Sequence, residues 1–125
     1  MFSSVATVFS ALGQSDYIMA NSFMDEFVNY RKALGLKAKT VNWCTWKDKG
    51  MAHDSGFTVD TIFKAMMSDK AVEGFDNAFN KDVPRVIIGY LNQPAGLNFL
   101  AKSNVKLHGT IKSMLDSHLE KMNNK

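Results

Sequence analysis

The chain has 125 residues, of which 46% are hydrophobic and 22% are charged. This length is that of a single domain, and the composition excludes disorder of the whole chain. Cys44 is the only cysteine, which excludes an internal disulfide and a cysteine-based metal cluster, and no apolar run approaches the roughly 20 residues of a membrane span.

The net charge of +3 is unevenly distributed. Residues 1–100 carry ten Lys or Arg and ten Asp or Glu, whereas residues 101–125 carry five Lys against Asp116 and Glu120. The basic segment has no arginine and no interleaved aromatics, which favours a solvated helix over a nucleic-acid site. The three histidines lack metal-ligand spacing. We therefore expect no metal, no nucleic-acid partner and no membrane partner, and a cytoplasmic protein without a secretory signal.

The first half of the chain predicts a strand, a helix and a second strand. Residues 2–9 indicate a strand end that opens into a loop, and the next helix is expected from an N-cap at Ser15 to a C-terminal glycine, Gly35. Residues 38–43 predict a strand buried in a parallel sheet. An apolar stripe predicts that the helix is buried on a broad face, against a sheet or a neighbouring subunit; the stripe contains Met19, Phe23, Phe27 and Tyr30, widened by Met24 and Val28.

The second half predicts a loop followed by helices and a strand. Residues 47–57 are polar and aperiodic, and their place after a strand end suggests a lid. A short helix over 59–67 and a second over 69–79, capped by Ser68, lead to the strand 85–91. Residues 93–96 indicate a linker, and residues 111–122 indicate an amphipathic helix.

Three polar residues at the start of the chain have the spacing of a catalytic group. Ser4 precedes Tyr17 by thirteen residues, and Asn21 follows Tyr17 by four, which places the last two on one face of a helix. A tyrosine that protonates a developing alkoxide needs neighbours that position it, because a phenol titrates near pH 10. A serine hydroxyl could hold the reacting carbonyl meanwhile.

The run FSSVATVFSALGQSDYIMAN at residues 2–21 resembles the active-site segment of the ketoreductase domains of modular polyketide synthases, which are short-chain dehydrogenase/reductases. The segment NWCTW at residues 42–46 is similar to the NWGPW-type segment of that family, and residues 50–52, GMA, are similar to its lid motif. The resemblance covers residues 1–92. We assign these residues to the C-terminal portion of a ketoreductase domain, and residues 93–125 to a linker and an amphipathic helix.

The resemblance implies the C-terminal half of a Rossmann-like doubly wound parallel sheet and an NADPH-dependent oxidoreductase. Ser4, Tyr17 and Asn21 would be the catalytic residues, and Trp43, Cys44 and Thr45 would contact the cofactor through the backbone of the turn, where the family usually has glycine in place of Cys44. Phe9, Gln14 and Met51 would border the substrate. The substrate would be a β-ketoacyl chain on the phosphopantetheine of an acyl carrier protein, as in antibiotic biosynthesis by multifunctional enzymes.

The sequence contains no G-x-G-x-x-G fingerprint, and only three residues precede Ser4. The nucleotide-binding half and the family's catalytic lysine would therefore have to come from elsewhere, and we expect the chain to be inactive alone. A sheet without that half would expose a strand edge and a helix flank, which predicts association with the missing half or with a second copy. The alternative is a non-catalytic scaffold whose basic tail docks a protein partner.

Overall fold

The computed structural model describes residues 1–9, 13–58, 60–103, 106 and 108–123. Strands and helices alternate over residues 2–88, with a 3-10 turn at Val5–Thr7 after the first strand, and a further strand and two helices follow. In chain order the elements are β1 (Phe2–Ser4), α1 (Ser15–Ala33), β2 (Thr40–Trp43), α2 (Met51–Asp54), β3 (Phe63–Lys64), α3 (Ser68–Phe79), β4 (Arg85–Ile88), β5 (Tyr90–Leu91), α4 (Gln93–Lys102) and α5 (Gly109–Asn123).

The main sheet has three parallel strands in the order β1-β2-β4. Alternate residues of β2 face opposite sides: Asn42 contacts α1, whereas Val41 packs in a core with Ala71 of α3 and Ile88 of β4. The two crossover helices therefore lie on opposite faces, and the predicted α/β fold with a parallel sheet is confirmed. Both crossovers, from β1 to β2 and from β2 to β4, move to the next strand in the same direction across the sheet. Because their helices lie on opposite faces, the two crossovers have opposite handedness.

A second apolar cluster joins the two C-terminal helices. Leu97 and Leu100 of α4 pack on Leu115 of α5, with Leu119 and Phe9 at the margin. Residues 93–96, predicted as a linker, are instead the first turn of α4, with Pro94 in that turn, where its missing N–H costs no hydrogen bond. None of the helices described has the length and apolarity that crossing a bilayer requires.

The C-terminal end of α1 was predicted correctly from the sequence, whereas its N-terminal cap was not. Gly35 has a φ of +74°, and the N–H groups of Gly35 and Leu36 donate to the carbonyls of Lys32 and Arg31, which is a Schellman motif. At the other end Ser15 is the first helical residue and Gln14 occupies the N-cap without a side-chain bond, so the predicted serine cap is wrong.

The helix predicted over 59–67 is also wrong over its described part, residues 60–67; Val59 lies outside the described residues. Phe63 and Lys64 instead form β3, antiparallel to β5, and Met66 forms a parallel bridge with Trp46. The carboxylate of Asp60 accepts the Ala65 N–H at 2.8 Å and so competes with helical bonding in this segment.

The strand predicted over 85–91 divides at Gly89. Residues before Gly89 pair in parallel with β2, and those after it pair antiparallel with β3. A Cβ at Gly89 would lie 2.2 Å from the Cys44 Sγ, 3.0 Å from the Cys44 Cβ and 3.2 Å from the Phe63 ring. The change of partner therefore occurs where only a glycine fits beside Cys44.

We expect Gly89→Ala to lower the free energy of unfolding by about 1–3 kcal/mol, because it overpacks a buried contact. In the Gly89→Ala background, Cys44→Gly should cost less than it does in the wild type, since it removes the two closest of the three atoms that the new Cβ meets and leaves only the Phe63 ring at 3.2 Å. Urea denaturation of the four proteins of this cycle measures the coupling. Gly109→Ala is the control, because its Cβ would enter open space; purely additive costs for the Cys44 and Gly89 changes would contradict the contact.

Candidate active site

The candidate catalytic residues lie at the carboxyl edge of the parallel sheet. Ser4 is the last residue of β1 and is in register with Trp43, the last residue of β2. Carboxyl ends of parallel strands are where open α/β sheets bind ligands. The fold therefore brings the predicted catalytic serine beside the predicted cofactor-binding turn at residues 43–45.

The hydroxyl of Ser4 is held by the turn that follows it. Ser4 is buried, and its Oγ accepts the Ala6 N–H at 3.2 Å as the N-cap of the 3-10 turn. An accepted bond occupies a lone pair and leaves the hydroxyl proton for donation. Donation is what the predicted role at a ketone oxygen requires.

Tyr17 and Asn21 are linked directly to each other and to β1. Asn21 Nδ2 donates to the Tyr17 carbonyl at 2.8 Å, and the Asn21 carbonyl accepts from Ser3 Oγ at 3.2 Å. Asn21 is buried, whereas Tyr17, in the first turn of α1, is 39% exposed. These bonds fix the first turns of α1 against the strand that ends in Ser4.

The candidate cofactor residues have engaged backbones and packed side chains. The Cys44 N–H donates to the Ile88 carbonyl at 3.3 Å, and the Thr45 carbonyl accepts the Met66 N–H at 3.0 Å. Trp43 packs edge-to-face on Trp46 with ring centroids 5.2 Å apart. Burial raises the pKa of the Cys44 thiol to about 12. The thiol therefore stays protonated at neutral pH, consistent with a packing role rather than a nucleophilic one.

The turn at residues 43–45 fits a cofactor in one respect. Cys44 replaces the glycine usual in the resembled family, but its Sγ is buried against Gly89. The larger side chain is thus accommodated inside the fold.

The three candidate substrate residues are dispersed in their packing. Phe9 makes edge-to-face contacts with Phe63 and Phe99, at centroid distances of 5.8 and 5.7 Å, and so joins the sheet region to α4. Gln14 is exposed at the N-cap of α1, and Met51 is exposed at the start of α2. The predicted loop over 47–57 contains this short helix, and the substrate roles of the three residues stay predictions.

Helix α1 is buried on a face that shares only one buried residue with the predicted one. Its buried residues are Asn21, Asp25 and Val28, of which Val28 was expected at the edge of the predicted stripe. The centre of that stripe lies on the opposite side of the helix, where Met19, Phe23 and Tyr30 are 71, 69 and 59% exposed. Phe27 stacks between the last two, with ring centroids 6.1 Å from each. We call Met19, Phe23, Phe27 and Tyr30 the aromatic ridge.

A group of polar side chains around the buried Asp25 and Asn42 was missed from the sequence. Thr7, Asp25, Asn42 and Arg85, from four separate parts of the chain, form what we call the polar cluster. Asp25 accepts from Thr7 Oγ1 at 2.7 Å and from Asn42 Nδ2 at 3.1 Å, and it forms an ion pair with Arg85. Arg85 also donates from Nε to Asn42 Oδ1 at 3.1 Å and from Nη2 to Thr7 Oγ1 at 2.8 Å.

Two sequence signals point to the polar cluster in retrospect. Asn42 stands in the middle of an apolar strand and is fully buried, and Asp25 follows Asn21 by four residues on the inner face of α1. Buried polar residues require partners. Their pairing with Thr7 and Arg85 could not be read from the sequence, because it depends on how the strands are arranged.

The base of the predicted lid is fixed to α3. Asp48 accepts from the Ser68 N–H at 2.9 Å and from Ser68 Oγ at 2.7 Å. Ser68, predicted as an N-cap, is instead the first helical residue, and the carboxylate of Asp48 supplies the cap from outside the helix. The hydroxyl of Ser68, followed by its N–H, lowers the pKa of Asp48 below the ordinary value of 3.8.

The comparisons with known proteins agree with the architecture and the motif. Residues 1–48 match a family model described as the KR domain. The chain is 37% identical over 110 residues to the mycoketide-CoA synthase of Mycobacterium tuberculosis, a match covering 81% of the chain and 2% of that protein. It is 36% identical over 80 residues to the polyketide synthase GfsB of Streptomyces halstedii, covering 62% of the chain and 1% of that protein.

A solved structure shows the same fold. The structure of A-type ketoreductases from a modular polyketide synthase superposes with a TM-score of 0.74 at 31% identity, over 89% of this chain and 24% of that one. Fold and matches together define an α/β fold of the short-chain dehydrogenase/reductase type. The chain belongs to the ketoreductase domain family of polyketide synthases and corresponds to part of such a domain, spanning about a quarter of the solved ketoreductase.

The Asp48 cap predicts a specific pH dependence of stability. Because the pKa of Asp48 is lower in the folded state, its contribution is present above the unfolded pKa and is lost as the pH falls through the folded pKa. We expect the Asp48→Asn variant to have a lower free energy of unfolding than the wild type, and we expect this difference to become smaller as the pH falls from about 5 to about 2. Ser68→Ala should weaken the same dependence. Urea titrations across this range test it, and a deficit that is constant with pH would contradict the cap.

Proposed function

We propose that this chain, as part of a complete ketoreductase domain, takes part in the NADPH-dependent reduction of a β-ketoacyl chain on an acyl carrier protein to the β-hydroxyacyl form. The observation that carries the proposal is the arrangement at the carboxyl edge. Ser4 ends β1 beside the turn at 43–45, and hydrogen bonds from Ser3 to Asn21 and from Asn21 to Tyr17 fix the helix start against that strand.

The roles follow from what each group can donate. The Ser4 hydroxyl, whose oxygen already accepts from Ala6, would donate its proton in a hydrogen bond to the ketone oxygen. The exposed phenol of Tyr17 would give its proton to that oxygen as negative charge develops on it. Asn21 would hold the Tyr17 turn in place and, with a lysine from outside the chain, support the proton relay. NADPH, held in part at residues 43–45, would supply the hydride to the carbonyl carbon.

We further propose that the chain alone is inactive. Orientation of a hydride donor against a carbonyl contributes much of the rate of such a reaction, and the described residues include only the turn at 43–45 for that purpose. The activity therefore requires the nucleotide-binding part of the domain. A cytoplasmic location remains part of the proposal.

The aromatic ridge supports a proposal about this partner. A helix that is apolar on its outer side as well as packed on its inner side belongs in an interior. The edge strand β1 and the ridge are the surfaces that the rest of a ketoreductase domain would cover, and a second copy of the chain would cover them in its absence.

Activity should return when the chain is combined with the upstream part of a ketoreductase domain. NADPH consumption with a β-ketothioester measures it. Tyr17→Phe should lower kcat by about 100-fold or more, because general acid catalysis typically contributes that much. Tyr90→Phe, which removes another exposed phenol hydroxyl, is the matched control. Full activity in Tyr17→Phe would overturn the assigned acid, and a combined wild type that captures a protein through its basic tail but reduces nothing would favour the scaffold.

A double variant, Phe23→Ser with Tyr30→Ser, should lose most of its self-association and its binding to the upstream part. Its free energy of unfolding should change little, since both side chains are exposed. Light scattering and a pull-down with the upstream part measure the two effects. Phe57→Ser, at a side chain that is 74% exposed in the lid segment, is the control. Unchanged association in the double variant would show that the ridge is not the contact.

A further inference from the structure

The polar cluster reaches the backbone of the predicted catalytic serine. The carbonyl of Ser4 lies 3.0 Å from Asn42 Nδ2 and 3.0 Å from Thr7 Oγ1. Thr7 ends the 3-10 turn whose second N–H, from Ala6, is bonded to the Ser4 hydroxyl. The turn that holds the hydroxyl is thus closed by Thr7 and tied to the next strand by Asn42.

The available protons decide how these contacts are shared. Thr7 has one hydroxyl proton, and both the Asp25 carboxylate at 2.7 Å and the Ser4 carbonyl at 3.0 Å lie within its reach. When Thr7 donates to Asp25, the two-proton amide of Asn42 still satisfies the Ser4 carbonyl. When Thr7 donates to Ser4, Asp25 keeps bonds from Asn42 and Arg85. In both arrangements the carbonyl has a donor.

Arg85 determines which way the donors point. Its Nε donates to Asn42 Oδ1, which fixes the amide so that Nδ2 faces Asp25 and the Ser4 carbonyl. Its Nη2 donates to Thr7 Oγ1, so a lone pair of the Thr7 hydroxyl faces Arg85. The hydroxyl proton therefore points away from Arg85 and can be donated to Asp25 or to the Ser4 carbonyl. Arg85 also compensates the charge of Asp25, which is only 6% exposed.

We propose that Thr7 and Asn42, oriented by the ion pair of Asp25 and Arg85, are positioning residues for the Ser4 hydroxyl. They hold the Ser4 carbonyl, and through it the turn in which the hydroxyl accepts from Ala6 and keeps its proton for the ketone oxygen. The catalytic part of this inference rests on the proposed reductase function. The structural part, that the cluster holds the Ser4 turn, stands independently.

Amide hydrogen exchange of the 125-residue chain tests the structural part. Thr7→Val removes the hydroxyl and keeps the volume, and Thr7→Ser keeps the hydroxyl and removes the methyl group. We expect Thr7→Val to accelerate exchange of the Ala6 amide about tenfold, as the loss of one net hydrogen bond permits, and Thr7→Ser to stay within about twofold of wild type. The Ala71 amide, in the core at α3, reports global opening and should not change.

If Thr7→Val also accelerates exchange of the Ala71 amide, the variant has destabilised the whole chain. The Arg85→Lys variant then becomes the deciding test of whether the polar cluster holds the Ser4 turn. Lysine keeps a charge beside Asp25 but lacks the planar fork in which Nε bonds Asn42 and Nη2 bonds Thr7, so Ala6 alone should exchange faster. Unchanged exchange of Ala6 in the deciding variant overturns the proposal. So does a Thr7→Ser variant as damaging as Thr7→Val, because the methyl group would then be the important part.

The complete domain tests the catalytic part. There Thr7→Val should lower kcat about tenfold with a KM within about twofold of wild type, because the serine interaction is strengthened in the transition state, and Thr7→Ser should restore kcat. If the complete domain is active and Thr7→Val leaves its kcat unchanged, the positioning role of Thr7 is wrong. A wild-type domain without reductase activity refutes the proposed function instead, and the Ala6 exchange still decides whether the cluster holds the turn.

Discussion

The ion pair between the buried Asp25 and the partly exposed Arg85 is the interaction on which the arrangement of this chain depends. It joins the inner face of α1 to β4, across the strand β2 that lies between β1 and β4. A buried carboxylate is costly unless its charge is compensated and its oxygens are bonded, and here Arg85, Thr7 and Asn42 meet both needs. Replacing such a pair by apolar residues often preserves stability. What the polar version adds is direction, because bonds to Asn42 and Thr7 have fixed geometry whereas apolar contacts do not.

The need to bond the Asp25 carboxylate explains why α1 has polar residues on its inner face and apolar residues on its outer face, the opposite of an ordinary surface helix. Its inner face must supply Asn21 and Asp25 to β1 and β2, so the polar positions point inward. The apolar positions that a helix of this length usually turns towards its sheet are left on the outside, as the aromatic ridge. The prediction that the stripe at positions 19, 23, 27 and 30 packs on the sheet is therefore wrong, and its contact with a partner stays a prediction. The sheet receives the functional face, and the ridge is available to another part of a larger domain.

The sequence predicted the elements that local rules control and missed those that depend on tertiary contacts. Helix α1 and its Gly35 terminus were predicted because periodicity and a positive φ are local properties. The segment at 60–67 and the first turn of α4 were missed because a pairing of Phe63 with Leu91 and the packing of Leu97 on Leu115 determine them. For the site, the spacing of Ser4, Tyr17 and Asn21 was visible as a motif. The polar cluster was not, because its members are up to 78 residues apart in the chain.

Cys44 and Gly89 show how a change at the site is absorbed by the fold. In the resembled family the position of Cys44 is usually glycine, and a larger side chain on that turn would be expected to obstruct a cofactor. Here the thiol is turned inward and occupies the space that a side chain at residue 89 would need. The chain at the end of β4 therefore needs a glycine at the point where it passes the Cys44 thiol. Because Gly89 is also where the chain leaves the parallel sheet for β5, packing around Cys44 connects the geometry of the turn at residues 43–45 to the pairing of β5 with β3. A substitution at Cys44 or at Gly89 should therefore affect both the turn at residues 43–45 and the pairing of β5 with β3.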